Sequence, residues 1–207
     1  MPTYVPKEYW LNRGKVYRKQ YIHNKQMKLQ EKMLIDYLKT LSAFHTVLEV
    51  GCGFGRITKL VLENFPHVTE YLAIDLSPDQ VEAAKQYVGG VHADLKFMVL
   101  EIQSLDIGKY DLILCCEVLM HILPEEIESN ITSLIGLAAK HLVNVDWYED
   151  PVPKQPDGTW NFVHQYQLLY QKNPSIRHVK RIPIIKKGMF GFNVRQSIFH
   201  ATVDGLH

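Results

Sequence analysis

Short apolar runs alternate along the chain with segments of helical periodicity. The apolar runs predict strands near residues 46–50, 70–75, 96–100, 110–116 and 141–148. Between them, apolar side chains recur three or four positions apart and predict helices, as in Ile57, Leu60, Val61 and Phe65. Strands that alternate with helices are typical of an α/β fold, in which a mostly parallel sheet carries helices on both faces.

Turn residues locate two of the helices more closely. We predict a helix from Ser77 to Tyr87, because Ser77 suits a helix start and Gly89 suits a helix end. Pro124 precedes a second apolar stripe, which predicts a helix over residues 127–138.

The two ends of the chain differ from this middle part. A basic segment with helical character covers roughly residues 7–40. The proline-rich stretch 150–158 predicts a loop that is long enough to have a function of its own. A short helix over about 164–171 and two β-rich runs, 176–185 and 191–203, complete the chain.

Length and composition indicate a single soluble domain. The chain has 207 residues, of which 46% are hydrophobic and 22% are charged, which suits one packed core and is short for two. Three cysteines do not form a disulfide framework and indicate a reducing compartment. The first residues lack a signal-peptide core, and no apolar run approaches the ~18 residues that a membrane span needs. We therefore predict a cytoplasmic protein.

Charge is unevenly distributed, although the formal net charge is only +1. Residues 13–32 carry seven basic side chains against Glu31 alone, and residues 172–195 carry seven basic side chains and no acid. Such segments suit an anionic partner, such as a nucleic acid, but ordinary solvated helix faces have the same composition. Both interpretations stay open on the sequence.

The most specific chemistry lies where the first strand ends. Residues 47–56 read V-L-E-V-G-C-G-F-G-R, an apolar strand that enters a glycine-rich turn and then a helix. Glycines allow a ligand to approach the backbone, and the free N–H groups of a helix start face it. The next strand ends in Asp75, about 20 residues further on, which is the spacing expected for a carboxylate that binds a ribose. Together they predict a ribose-containing cofactor.

The glycine spacing disfavours a dinucleotide. The dinucleotide fingerprint is G-x-G-x-x-G, whereas here the glycines are Gly51, Gly53 and Gly55, and Arg56 occupies the sixth position. The run E-x-G-x-G-x-G followed by an acidic strand end resembles the class I S-adenosylmethionine (SAM)-dependent methyltransferases. The resemblance covers residues 45–148 by motif and the rest by element order.

That resemblance implies a fold and a domain organisation. The expected fold is doubly wound, with a mostly parallel seven-stranded sheet, an antiparallel C-terminal strand and helices on both faces. Residues 1–40 would form an N-terminal helical cap, 41–148 the cofactor-binding half and 149–207 the substrate-side half of one domain. The cofactor would be SAM, and the product S-adenosylhomocysteine (SAH).

The resemblance also implies cofactor contacts. Gly51, Cys52 and Gly53 would lie against the methionine part, with Glu49 orienting the loop or acting as a helix-dipole partner. The other implied contacts are Asp75 at the ribose, Leu76, Glu101 and Ile102 at the adenine, and Cys116 and Glu117 near the sulfonium. Arg13, which lies among aromatic residues, either pairs with the cofactor's carboxylate or points to solvent.

Methyl transfer needs an aligned acceptor and, if the acceptor is a hydroxyl, a group that removes its proton. His121 is the first candidate, because it lies four residues past Glu117 and imidazole is a suitable base near neutral pH. His164 and Tyr166, after the proline-rich loop, are the second choice. No metal is predicted, since Met120 stands where a second acidic ligand would be needed.

Motifs typical of amino methylation of adenine or of ribose 2′-O methylation are absent from the sequence. We therefore expect a small-molecule methyl acceptor with an oxygen or nitrogen nucleophile, such as an anionic metabolite or a sugar. RNA is an alternative acceptor that rests on the basic segments. Two further classes stay open, a non-catalytic SAM- or SAH-binding protein and an NAD-dependent oxidoreductase, and the glycine spacing disfavours the oxidoreductase.

Overall fold

Seven strands form one sheet, in the order β3-β2-β1-β4-β5-β7-β6. The computed structural model describes residues 4–21, 25–90, 93–104, 107–149, 160–188 and 191–204. The strands are β1 (Thr46–Val50), β2 (Glu70–Asp75), β3 (Asp94–Val99), β4 (Tyr110–Cys116), β5 (Ala138–Trp147), β6 (Ile176–Gly188) and β7 (Gly191–Val203). The first five strands are parallel, and β7 lies antiparallel between β5 and β6. The predicted fold class is therefore confirmed.

Six helices accompany the sheet. They are α1 (Pro6–Tyr21), α2 (Lys25–Leu38), α3 (Arg56–Asn64), α4 (Pro78–Val88), α5 (Ile127–Leu137) and α6 (Tyr166–Gln171). One core cluster joins α2, α3 and α4 to the first face of the sheet, and a second joins α5 and α6 to the opposite face. Alternate strand residues serve the two clusters, as Val47 and Leu48 do in β1.

The helix ends explain why the chain turns where it does. Ser77 caps α4 by accepting a hydrogen bond from the N–H of Gln80, Pro78 occupies the first turn, and Gly89 ends the helix at φ +72°. The predicted basic helical segment 7–40 is two helices, α1 and α2. The short helix predicted from residue 164 begins two residues later, at Tyr166. The predicted loop 150–158 lies outside the described residues.

Helix α1 docks on α4. A Cβ at Gly14 would overlap the Ser77 hydroxyl, so the two backbones approach closely at this glycine. The side chain of Gln80 donates a hydrogen bond to the Gly14 carbonyl oxygen and fixes the contact. In the described part of the chain, no helix is long and apolar enough to cross a membrane.

A chain of hydrogen bonds crosses the amino-terminal end of the sheet. Ser42 Oγ lies 2.8 Å from His141 Nε2, His141 Nδ1 lies 3.0 Å from His200 Nε2, and His200 Nδ1 lies 2.8 Å from the Tyr37 hydroxyl. Burial, followed by the neighbouring His141, lowers the pKa of His200 to about 4. The lowered pKa keeps this imidazole neutral in the folded protein at neutral pH.

This histidine pair is expected to make stability fall with acidification. The unfolded chain binds a proton at each imidazole near pH 6.5, whereas folded His200 does so only near pH 4, so stability is lost as pH falls between these values. For His200 alone the free energy of unfolding should drop by about 2 kcal/mol from pH 7 to pH 5. Urea unfolding of the wild type and His200→Gln at both pH values checks this. Equal pH dependence in the two proteins would exclude the effect.

Candidate active site

A cavity of about 510 Å³ opens where the parallel strands end, between the sheet and α1. Its floor is the glycine-rich turn after β1, and its sides are the ends of β2, β3 and β4. Its roof is one face of α1, since Pro6, Trp10, Gly14 and Tyr17 recur three or four positions apart and all line it. An open α/β sheet binds ligands at this edge, and a cavity of this size holds a small-molecule cofactor.

The glycine-rich turn has the conformation that its sequence requires. Gly51, Gly53 and Gly55 have φ values of +71°, +53° and +84°, which residues other than glycine rarely adopt. A Cβ at Gly51 would overlap Cγ2 of Val118, which lies on the turn after β4. Cys52 is buried and donates its N–H to the Ile74 carbonyl oxygen at 2.9 Å, which ties the turn to β2.

A Gly51→Ala substitution is therefore expected to damage both the turn and the cavity. We expect a loss of about 1–2 kcal/mol from the positive φ alone, and more from the overlap with Val118. Thermal and urea unfolding measure the effect, and Gly108→Ala is the matched control, because a Cβ there meets nothing within 4 Å. The double variant Gly51→Ala/Val118→Ala should recover only the steric part. Wild-type stability in Gly51→Ala would contradict the prediction.

Asp75 lies at the end of β2 and faces the same cavity. Its Oδ2 accepts the Gly53 N–H at 2.9 Å, and its Oδ1 accepts the Ser77 N–H at 2.9 Å. Burial raises the pKa of Asp75, and the N–H donors oppose that rise. The carboxylate is thus oriented by the turn and by the start of α4, and each oxygen has a second lone pair for a ligand hydroxyl.

Glu49 lies beneath the turn and is buried. Its Oε2 accepts hydrogen bonds from Thr58 Oγ1 at 2.5 Å and from the Tyr71 hydroxyl at 2.8 Å. Burial raises the pKa of Glu49 to about 7. These bonds tie β1 to α3 and β2, and Glu49 also lines a smaller hollow beside Gly51 and Cys52. The expected roles of Glu49, orienting the loop or a bound water or acting as a helix-dipole partner, stay predictions.

At the far end of the cavity, Leu76, Glu101 and Ile102 line one wall. Glu101 also forms an ion pair with Lys7 of α1, with 2.6 Å between Nζ and Oε1. The pair joins the roof to the end of β3. Gln103, the residue after Ile102, donates a hydrogen bond to Asn130 Oδ1 at 3.0 Å.

The near end of the cavity lies where β4 ends, at Cys116 and Glu117. Glu117 has φ +58°, an uncommon value for a residue other than glycine, and such strain concentrates at functional sites. Its Oε1 accepts a hydrogen bond from Gln196 at 2.7 Å, and its Oε2 lies 3.7 Å from Arg56. Arg56 also pairs with Glu31 at 2.9 Å. These partners hold Glu117 in its strained conformation.

His121 follows on a short 3₁₀ turn, Leu119–His121, and its imidazole lines the cavity. Its Nδ1 lies 2.8 Å from the Trp160 carbonyl oxygen, which can only accept, so Nδ1 carries the proton and Nε2 has the free lone pair. The ring packs on Trp10 with 4.4 Å between centroids. Burial lowers the pKa of His121 to about 4, so the imidazole is neutral at pH 7.

The second-choice residues lie elsewhere. His164 is buried behind the 3₁₀ turn, and its Nε2 donates to the Ile122 carbonyl oxygen at 3.1 Å. Tyr166 is fully buried in the core beside Phe199. Neither residue lines the cavity, and neither does Arg13, which is partly buried on α1. Of the three candidate proton acceptors, the structure brings only His121 to the cavity within the described residues.

Trp10 and Tyr17, two of the aromatic residues near Arg13, line the roof that α1 of the expected N-terminal helical cap forms. Lys7, Gln80, Val118 and Asn130 also line the cavity but were missed from the sequence. Long-range docking brings these four residues to the cavity, and the sequence has no local signal for it.

The strand order, the glycine-rich turn and the carboxylate at the end of β2 define a Rossmann-like domain that binds a nucleotide-like cofactor. Residues 48–144 match the family described as a methyltransferase domain. A malonyl-[acyl-carrier protein] O-methyltransferase from Anoxybacillus flavithermus is 37% identical over 70 residues, which are 33% of this chain and 26% of that protein. A ubiquinone biosynthesis O-methyltransferase from Coxiella burnetii is 26% identical over 139 residues, 66% of this chain and 56% of that protein.

The chain thus spans about a quarter and about half of the length of these two relatives. Among solved structures, magnesium protoporphyrin IX methyltransferase from Synechocystis with bound SAM has a TM-score of 0.69 at 19% identity, and the match covers 99% of this chain and 100% of that chain. N-methyltransferase NodS from Bradyrhizobium japonicum has a TM-score of 0.68 at 17% identity, with 87% and 98% covered. The methyltransferase-domain match over residues 48–144 and the fold shared with these solved methyltransferases agree with the resemblance to the class I SAM-dependent methyltransferases.

Proposed function

We propose that this protein transfers a methyl group from SAM to an oxygen or nitrogen of a small molecule. The observation that carries the proposal is the pairing of the glycine-rich turn with Asp75 beneath a cavity large enough for a small-molecule cofactor. The solved relatives above include an enzyme with bound SAM. Bound there, SAM would supply an electrophilic methyl group and its own leaving group.

The residues present fit that cofactor. Asp75 has lone pairs for two ribose hydroxyls, while Leu76, Glu101 and Ile102 form an apolar wall with one polar end for an adenine. The methionine part would lie against Gly51 and the neighbouring backbone, close to the end of β4. A nicotinamide dinucleotide fits less well, because Arg56 stands where its loop needs glycine.

The acceptor would enter from the side of Trp10 and His121. There the chain's own groups can orient an acceptor beside the packed rings of Trp10 and His121 and exclude water from it. The free lone pair of His121 Nε2 can receive a hydroxyl proton as the new bond to carbon forms. This role for His121 favours a catalytic protein over a SAM-binding protein without activity.

Ion pairs within the basic segments weaken the support that these segments gave to RNA as the methyl acceptor. Lys32 pairs with Asp36, Lys172 with Glu128, and Arg177 with Asp204. These pairings are typical of solvated surfaces, so the small-molecule acceptor is the function that we propose.

Incubation of the purified chain with methyl-labelled SAM and panels of phenols, carboxylates and amines tests the proposal. We expect label in one panel, accompanied by an equal amount of SAH. Heat-inactivated protein and Asp75→Ala serve as controls. Tight SAM binding without label in any panel, in the presence of excess acceptor, would support the non-catalytic alternative instead.

A further inference from the structure

A buried polar network lies directly behind the turn that carries His121. Asp146, near the end of β5, is fully buried, and its Oδ2 accepts a hydrogen bond from Asn144 Nδ2 at 2.7 Å. Asn144 Oδ1 in turn accepts the hydroxyl proton of Tyr170 on α6 at 2.7 Å. The network therefore joins α6 to the end of β5 through side chains whose surroundings are otherwise apolar.

On its other side, Asp146 holds the backbone of the turn after β4. Its Oδ1 accepts the Met120 N–H at 3.1 Å, and the carboxylate is also hydrogen-bonded by the backbone of Val118. The Val118 carbonyl oxygen then accepts the His121 N–H at 3.0 Å. The backbone on which His121 is built is thus attached to this carboxylate at two points.

The same turn also reaches the cofactor side of the cavity. Val118 packs against Gly51, and Glu117 donates its N–H to the Val145 carbonyl oxygen at 2.7 Å. A shift of the turn would therefore move the imidazole and the wall of the glycine-rich loop relative to each other. Sub-ångström alignment of this kind governs the rate of an in-line transfer.

Burying a carboxylate at this position costs free energy, so its hydrogen bonds must serve a purpose. Burial raises the pKa of Asp146 to about 7, and the hydrogen bonds from Asn144 and Met120 oppose that rise. A core strand can usually place an apolar side chain at such a position, and replacing buried charges by apolar groups is often neutral for stability. A hydrogen-bond acceptor is required at this position because the N–H groups of the turn would otherwise be buried without acceptors.

We propose that Asp146 is a positioning residue for methyl transfer, which fixes the turn over residues 118–121 so that His121 Nε2 faces the acceptor. The inference rests on the proposed function, in which His121 receives the acceptor's proton. Asn144 and Tyr170 orient the carboxylate, and Asp146 itself touches neither the cofactor nor the acceptor.

Two variants of the full chain test this role. Asp146→Ala removes the acceptor of the Met120 N–H. The double variant Asn144→Asp/Asp146→Asn exchanges the two side chains: the new carboxylate at position 144 accepts from Tyr170 and from the new amide at position 146, whose oxygen accepts the Met120 N–H. Asp111→Ala is the matched control, because Asp111 also accepts a backbone N–H, that of His45, but at the opposite end of the sheet.

Two readouts are measured for each variant. The first is ¹⁵N NMR of the His121 imidazole, which reports the Nδ1-protonated tautomer and needs no acceptor. The second is turnover, with SAH affinity measured by calorimetry. For Asp146→Ala we expect a mixture of tautomers, kcat lowered by about 10- to 100-fold and SAH affinity retained. The exchanged double variant should recover the single tautomer and most of the rate.

Asp111→Ala should lower the melting temperature and leave tautomer and kcat unchanged. The proposal is overturned if Asp146→Ala folds with wild-type tautomer and kcat, or if the exchanged variant does not recover the tautomer. If Asp146→Ala does not fold, the exchanged double variant is measured alone. A tautomer mixture in that variant then overturns the proposal. If no acceptor is turned over by the wild type, the proposed function fails, while the tautomer measurement still decides the positioning role.

Discussion

A His121→Gln variant is expected to lose about 10²- to 10⁴-fold in kcat toward a hydroxyl acceptor, the usual size of a lost general base. In the wild type, the His121 imidazole lines the cavity and its Nε2 has a free lone pair. Glutamine has no comparable basic nitrogen. SAH affinity should change little, because the expected cofactor contacts lie at the glycine-rich turn and Asp75. Steady-state kinetics and SAH calorimetry on the same preparation separate the two effects.

His164→Gln is the matched control for this prediction. The His164 imidazole is buried behind the same turn, and a glutamine amide can still donate to the Ile122 carbonyl oxygen. Turnover of the control should stay near that of the wild type. In the wild type, kcat/KM should fall as pH drops toward the lowered pKa of His121, about 4. Equal kcat values in His121→Gln and the wild type would show that positioning alone suffices or that the acceptor needs no base.

The second large effect is expected from Asp75→Ala, which should weaken SAM and SAH binding by at least about 10²-fold. Two hydrogen bonds from ribose hydroxyls to a carboxylate each contribute about 1.5–3 kcal/mol, and every 1.4 kcal/mol is tenfold in affinity. The variant also removes the acceptor of the Gly53 N–H, so the turn loosens as well. Calorimetric titration with SAH measures the loss.

Asp79→Ala provides the control, since Asp79 is an exposed acid in the first turn of α4, close to Asp75 in sequence. Its SAH affinity should match the wild type. Asp75→Asn should lie between the two, because the amide retains one oxygen that can accept from Gly53 or a hydroxyl. SAH affinity that is unchanged in Asp75→Ala would mean that the ribose is held by another group.

The fold was predictable because its signals are local. Apolar runs located the strands, apolar stripes of helical period located α3 and α5, and Ser77 and Gly89 marked the ends of α4. The sequence spacing between the glycine-rich turn and Asp75 also predicted that the two lie close together. The reason is that parallel strands that are adjacent in the sheet end at one edge. The fold, and the position of Asp75 beside the glycine-rich turn, thus follow from local patterns and spacing in the sequence.

The acceptor half was less predictable because it depends on docking. His121 reaches the cavity through a strained residue and a 3₁₀ turn, rather than through the helical turn that its spacing from Glu117 suggested. The sequence around His164 and Tyr166 does not show which side of α6 faces the core, and both residues proved to be buried away from the cavity. Asp146 resembles an ordinary polar residue in a strand until its partners on other elements are known.

We expect the cavity to bind SAM and its product in preference to a dinucleotide. Calorimetric titration of the purified chain with SAH and with NAD⁺, alongside Asp75→Ala, tests it most directly. We predict one SAH site per chain, binding in the micromolar range, that is lost in the variant, together with no measurable NAD⁺ binding. Binding of NAD⁺ more tightly than SAH, or SAH binding that survives in Asp75→Ala, would contradict the account.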